Sequence, residues 1–98
     1  MDIESTINSL RQNLDDFRSL GVVRLAVFGS AVSGVSTDGS DLDILVRFAE
    51  QRKTFDNFMN VRFLLESIFA GTKIDLVLEE AIKPAIRDQI LSEAVDVA

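Results

Sequence analysis

Apolar residues recur at Ile3, Ile7, Leu10, Leu14 and Phe17, at spacings of four, three, four and three. That period sets them on one stripe and predicts a helix over residues 3–20. Asp2 stands where an N-cap belongs and Gly21 where a helix stops. The pattern then changes. Val22 to Phe28 is β-branched and apolar and too short for a typical helix, so it predicts a strand. Gly29-Ser30 and a small-residue stretch to Ser40 follow, with residues 34–39 read as a plain loop. Leu42 to Phe48 is a second strand, Thr54 to Ala70 a second long helix ended by Gly71, and Lys73 to Glu79 a third strand. Pro84 opens a last helix running to about Val95. The order is helix, strand, loop, strand, helix, strand, helix. No repeat or linker interrupts it, so residues 1–98 are expected to form a single domain.

Splitting the strands by their period of two sharpens this picture. One face collects Val23, Leu25, Val27, Leu42, Ile44, Val46, Ile74, Leu76 and Leu78, all apolar. The other collects Arg24, Ala26, Phe28, Asp43, Leu45, Arg47, Lys73, Asp75, Val77 and Glu79. The expected fold class is therefore α/β (α+β): a small mixed sheet of three or more strands with helices packed on one face and a partly polar front.

Asp is depleted in strands because its short side chain favours caps and turns. Here Asp43 and Asp75 lie inside apolar strands, and Asp41 is two residues before Asp43. Like charges roughly 4 Å apart repel by about 4 kcal/mol at an effective dielectric of 20. A divalent cation removes that repulsion, and a pair of cations forms the clamp used in phosphoryl transfer. Each carboxylate also has a plainer reading: Asp41 as a turn or strand-entry residue after Ser40, Asp75 paired with Lys73, and Asp43 with Arg47. Gly29 lets backbone approach a phosphate closely, and Ser30 with the following N–H groups could hold phosphate oxygens.

Composition narrows the chemistry. The 98 residues hold 10 Lys+Arg against 16 Asp+Glu, a net charge of −6, and are 47% hydrophobic. There is no Cys, His, Trp or Tyr. That excludes a thiol nucleophile, a histidine base and any usual zinc site, and leaves the hard carboxylate oxygens that suit magnesium. The acidic balance argues against duplex nucleic acid as a direct ligand. With no leader and no bilayer-length apolar run, the chain reads as cytoplasmic, with no membrane partner.

Gly29-Ser30, ten intervening residues, Asp41-Leu42-Asp43, the later strand Asp75 and the tail from Lys83-Pro84 to Val95 together resemble the DNA polymerase β-type nucleotidyltransferase superfamily. More narrowly, the chain is similar to the minimal nucleotidyltransferase (MNT) domain proteins. The resemblance implies that Asp41, Asp43 and Asp75 ligate two Mg2+ ions, and that Asp75 helps to deprotonate an attacking hydroxyl. It places Gly29, Ser30 and the Ser33 position at the triphosphate of ATP or another NTP. It also implies an antitoxin that transfers AMP to a hydroxyl, in some members a tyrosine, of a HEPN-domain ribonuclease toxin. The family commonly reads Gly-Ser-X-Ala-Arg-Gly. Here residues 29–34 read Gly-Ser-Ala-Val-Ser-Gly, so Ser33 stands where a bidentate cation is usual, with Arg24 or Arg47 available to compensate. That substitution keeps a second function open, a catalytically weak MNT-fold antitoxin acting by direct binding. A third is transfer to a small hydroxyl compound such as an aminoglycoside, which would need a homodimer. A hetero-oligomer with the toxin is the other assembly expected. Phe63 shares the wet side of helix 54–70 with Asp56, Asn60 and Ser67, either as a lone exposed aromatic or as an anchor for a protein.

Overall fold

The computed structural model describes residues 2–33 and 41–97, with Ser33 described in its backbone alone. The expected loop at residues 34–39 and Ser40 lie outside the described residues.

The N-terminal stripe forms two helices rather than one, α1 (Ile3–Gln12) and α2 (Leu14–Ser19). Asp2 caps α1, accepting from the Glu4 N–H at 3.4 Å. Asn13 breaks the run. Its side-chain amide donates to the Ser9 carbonyl at 2.8 Å, and this local bond competes with helix continuation. The apolar stripe survives the break, with Ile7, Leu10 and Phe17 all buried.

Strands β1 (Val22–Phe28) and β2 (Leu42–Phe48) pair antiparallel. A short helix, α3 (Ser30–Ser33), follows β1. After β2, helix α4 (Phe55–Ile68) crosses over to β3 (Ile74–Leu78), which lies parallel to β2. Thr54 caps α4 through the Asn57 N–H at 3.1 Å. Pro84 then opens α5 (Pro84–Glu93) at a position where its missing N–H is not needed. A two-residue strand, β4 (Val95–Asp96), pairs antiparallel with β1 and was not expected. Its pairing is extended by the Val97 N–H donating to the Leu25 carbonyl at 2.7 Å. The sheet order is β3-β2-β1-β4.

Helices α1, α2 and α4 cover the apolar face through Leu10, Phe17, Val61 and Leu65, which pack with Leu25, Val27, Ile44 and Val46. Each such large side chain contributes about 2 kcal/mol by burial. The middle of the opposite face is also covered. Ala26 and Leu45 pack there with Ile82, and Phe28, Val77, Ile90 and Leu91 close around them. This second cluster docks α5 and leaves only the two ends of that face polar.

Val23, expected in the core, is 49% exposed. Val22 pairs with Phe48 and Arg24 with Arg47, so β1 carries an extra residue between them. This bulge turns Val23 outward and buries Val22 instead. No helix among the described residues is long and apolar enough to cross a membrane.

Candidate active site at the end of the sheet

The register of three strands assembles the polar end of the front face. Phe28, the last residue of β1, is the partner of Asp43 on β2, and Asp43 is the partner of Asp75 on β3. Register partners on neighbouring strands point to the same side, with the strands about 4.8 Å apart. The two carboxyl groups therefore stand next to each other, Asp43 half-buried and Asp75 exposed.

The electrostatics follow from that contact. The Asp43 carboxyl is pushed up to about 6 from an ordinary 3.8. Partial burial is the largest cause, followed by the charge of Asp75, a hydrogen bond shared with Asp75, and the charge of Asp41. All four causes act in one direction.

Gly29 makes the crowding possible. It has φ +75°, and a Cβ built on it would overlap the Asp43 carboxylate. The turn at the end of β1 thus lays bare backbone against Asp43. Its carbonyl accepts from the Val32 N–H at 3.1 Å and starts α3. Ser30, half-buried, is the first residue of that turn. Ser33 ends α3, and its side chain lies outside the described residues.

Asp41 precedes β2 and is half-buried, with its carboxylate 3.9 Å from the Lys73 ammonium. The Leu42 N–H donates to the Lys73 carbonyl at 2.9 Å, which fixes the entrance of β2 against that of β3. Lys73 therefore leans toward Asp41, whereas the sequence suggested Asp75. Among the described residues no group of three or more acidic side chains is drawn close enough to hold an ion. The pair that is assembled suits one nonetheless. Two adjacent carboxyls at one sheet end are hard oxygen donors with uncompensated charge, which fits magnesium.

Neither arginine considered for the triphosphate stands at this end. Arg47 follows Asp43 by four residues along β2, about 13 Å, and lies 3.5 Å from Glu79 rather than beside Asp43. Arg24 holds Glu79 at 2.7 Å and Asp96 at 2.9 Å. Arg87 of α5 approaches the same Glu79 at 3.8 Å. Glu79 is buried, and this cluster fastens α5 and β4 to the far end of the front face. Two contributors to the site were not read from the sequence: Phe28 beside Asp43, and Gly29 as the residue that admits the Asp43 carboxylate. A glycine directly after a strand whose last residue pairs with an in-strand Asp was the available signal.

Residues 7–97 match the family model described as a nucleotidyltransferase domain. The chain is 34% identical over 94 residues to the protein adenylyltransferase MntA of Thermococcus cleftensis, covering 96% of this chain and 91% of that relative. A solved structure carrying a provisional minimal-nucleotidyltransferase name matches with a TM-score of 0.80 at 38% identity. That match covers 97% of this chain and 95% of the other. A chain from the solved complex of tri-AMPylated Shewanella oneidensis HEPN toxin with MNT antitoxin matches at TM-score 0.63 and 16% identity. It covers 94% of this chain and 71% of its own, a likeness of fold.

Proposed function

The chain belongs to the nucleotidyltransferase domain family, and from that premise we propose that it transfers AMP from ATP to a hydroxyl of a partner HEPN toxin. The observation that carries the reading is the Asp43–Asp75 pair held against Gly29 at the sheet end. The protein adenylyltransferase relative and the AMPylated toxin in a structure of the same fold support it.

In this reading the acceptor oxygen, from a tyrosine, attacks the α-phosphorus of ATP. A phosphorus–oxygen bond to the acceptor forms, the bond from the α-phosphorus to the bridging oxygen breaks, and pyrophosphate leaves. The hydroxyl proton passes to Asp75, the more exposed carboxylate of the pair. Asp41, Asp43 and Asp75 are the residues that would hold two Mg2+ ions, whose chemistry is to neutralise charge on the phosphates. The Gly29 backbone, Ser30 and α3 border the triphosphate.

Incubation with ATP labelled at the α-phosphate, magnesium and the partner toxin tests this. The expected result is label on a toxin tyrosine with the wild type and none with Asp41→Asn/Asp43→Asn. Tight binding with no label from the wild type rejects it. One observation favours a second reading: Ser33 occupies the position of the usual arginine. The protein then neutralises its partner by binding alone, and neutralisation survives Asp43→Asn.

A further inference from the structure

A triphosphate seated at Gly29 and Ser30 would meet a surround with little positive charge. No Lys or Arg occurs in the sequence between Arg24 and Arg47. The end of β1, α3, residues 34–40 and the start of β2 therefore supply no side-chain cation. Arg24 and Arg47 themselves are engaged with Glu79 at the other end of the sheet. Three carboxylates would also cancel most of the charge of two magnesium ions, leaving little of it for the phosphates.

Lys73 answers that shortage from the third strand. Its carbonyl accepts from the Leu42 N–H at 2.9 Å, which fixes its backbone between Asp41 and Asp43 on one side and Asp75 on the other. It precedes Asp75 by two residues, so the two side chains leave the strand on the same side, about 7 Å apart along it. Among the described residues, Lys73 is the cation that an ion pair joins to one of the three site carboxylates, 3.9 Å from Asp41. That pair is long, and its side chains are 79% and 40% exposed. Water screens such a contact, so it restrains the flexible four-carbon stem only weakly. The ammonium can leave Asp41 for a stronger anion without disturbing any buried contact. The basic residues nearest to it in sequence lie elsewhere: Arg62 is on α4, which packs on the opposite face, and Lys83 follows the far end of β3.

We propose that Lys73 is a nucleotide-binding residue, whose ammonium contacts the phosphates of ATP and takes the place of the arginine that residues 29–34 lack. In the free protein the ammonium rests over Asp41. With the carboxylates committed to magnesium, it turns to the phosphates. The cation thus reaches the site from the start of β3 and not from the turn after β1. Lysine offers a point charge where arginine offers a planar fork, so ATP affinity should follow the charge at this position. The inference rests on the AMP-transfer reading for the identity of its ligand, and its test reads binding instead of a rate.

Calorimetry with ATP and magnesium on the wild type, Lys73→Met and Lys73→Arg is the experiment. Lys73→Met keeps the stem and loses the charge, and the exposure of the side chain lets the variant fold. It is expected to bind ATP at least fivefold more weakly than the wild type, the loss of one charge-assisted contact at a solvated site. Lys73→Arg is expected to bind more tightly than Lys73→Met. Were Lys73 only a counter-ion to Asp41, its neutralisation would free that carboxylate for magnesium and leave ATP binding unchanged or tighter. A loss smaller than fivefold, or a gain, therefore overturns the proposal. So does an arginine variant no better than the methionine one, because length and packing would then matter and charge would not. Labelled-ATP transfer by the same preparations separates the two readings. A wild type that binds ATP through Lys73 yet labels no toxin rejects AMP transfer and keeps the assignment of Lys73. A wild type that labels the toxin while Lys73→Met binds ATP equally well does the reverse. No binding of ATP by the wild type overturns both.

Discussion

Asp43 and Asp75 face one another across the one parallel strand pair among the described residues, as direct register partners. Parallel pairing repeats the pleat of one strand on the next, so two acidic side chains at matched positions emerge in the same direction and in contact. Neither can relieve the other. Lys73 leans to Asp41, and the nearest arginine on β2 is committed to Glu79. The pair is a local instability that the rest of the fold supports.

Replacing Asp43 should accordingly move stability and activity in opposite directions. Asp43→Asn removes a crowded charge and keeps the shape, so the metal-free protein should gain about 1–2 kcal/mol. AMP transfer should fall at least a hundredfold. Urea unfolding beside a labelled-ATP transfer assay measures both. A variant that loses stability along with activity would show that the carboxylate is holding the fold together.

The dependence on pH follows from the same residue. The folded protein keeps the Asp43 proton up to about pH 6, whereas the unfolded chain releases it near 3.8. Between those values the unfolded state binds fewer protons, so stability falls as pH rises. The loss is complete above about pH 6. It amounts to at most about 3 kcal/mol, and water screening at a half-buried group reduces it. Thermal unfolding of wild type and Asp43→Asn at pH 4.5 and 7.5 isolates the effect. The two should converge at the acid end and separate at the neutral end. Magnesium at pH 7.5 should raise the wild-type Tm and leave the variant nearly unmoved.

Much of this site was legible in the residues themselves. The β-branched runs gave β1 and β2 their observed limits, and an Asp within such a run is costly enough to need a purpose. What escaped the sequence depends on contacts between distant segments. Val23 has the right period for the core, but the extra residue in β1 against Arg47 turns it outward. Val95 and Asp96 read as the end of a helix and instead add a strand, because β1 offers them an open edge. Arg47 shares a face with Asp43, yet the 3-10 turn at Glu79–Ala81 delivers a buried carboxylate beside it. Asn13 is the one local miss, where a side-chain bond to Ser9 outweighed the apolar period.

Glu79 should be the residue whose loss is felt most at the far end of the sheet. Its side chain is 6% exposed and is approached by Arg24, Arg47 and Arg87 from β1, β2 and α5. Glu79→Ala leaves those arginines without their shared partner and should cost about 3 kcal/mol. Asp96 also pairs with Arg24, but its side chain is 55% exposed, so Asp96→Asn should cost less than about 1 kcal/mol. Urea midpoints of the two variants test the difference. Transfer activity per folded molecule should be unchanged in both, because neither residue reaches the Asp43 end.

Two glycines separate backbone strain from the close approach at the site. Gly29 and Gly71 have φ of 75° and 85°, so alanine at either adopts a left-handed conformation, costing about 1–2 kcal/mol. They differ in what a methyl group would meet. At Gly71 nothing lies within 4 Å, and at Gly29 the methyl overlaps the Asp43 carboxylate. Gly71→Ala should therefore show the strain alone, with transfer activity kept. Gly29→Ala should show the same strain and, in addition, displace Asp43 from Asp75. Its transfer rate should fall at least tenfold, and the Asp43 carboxyl, followed by carbon NMR, should titrate closer to its ordinary value. Equal behaviour of the two variants would mean that the overlap is relieved by a harmless side-chain rotation, and that Gly29 does nothing for the site beyond turning the chain.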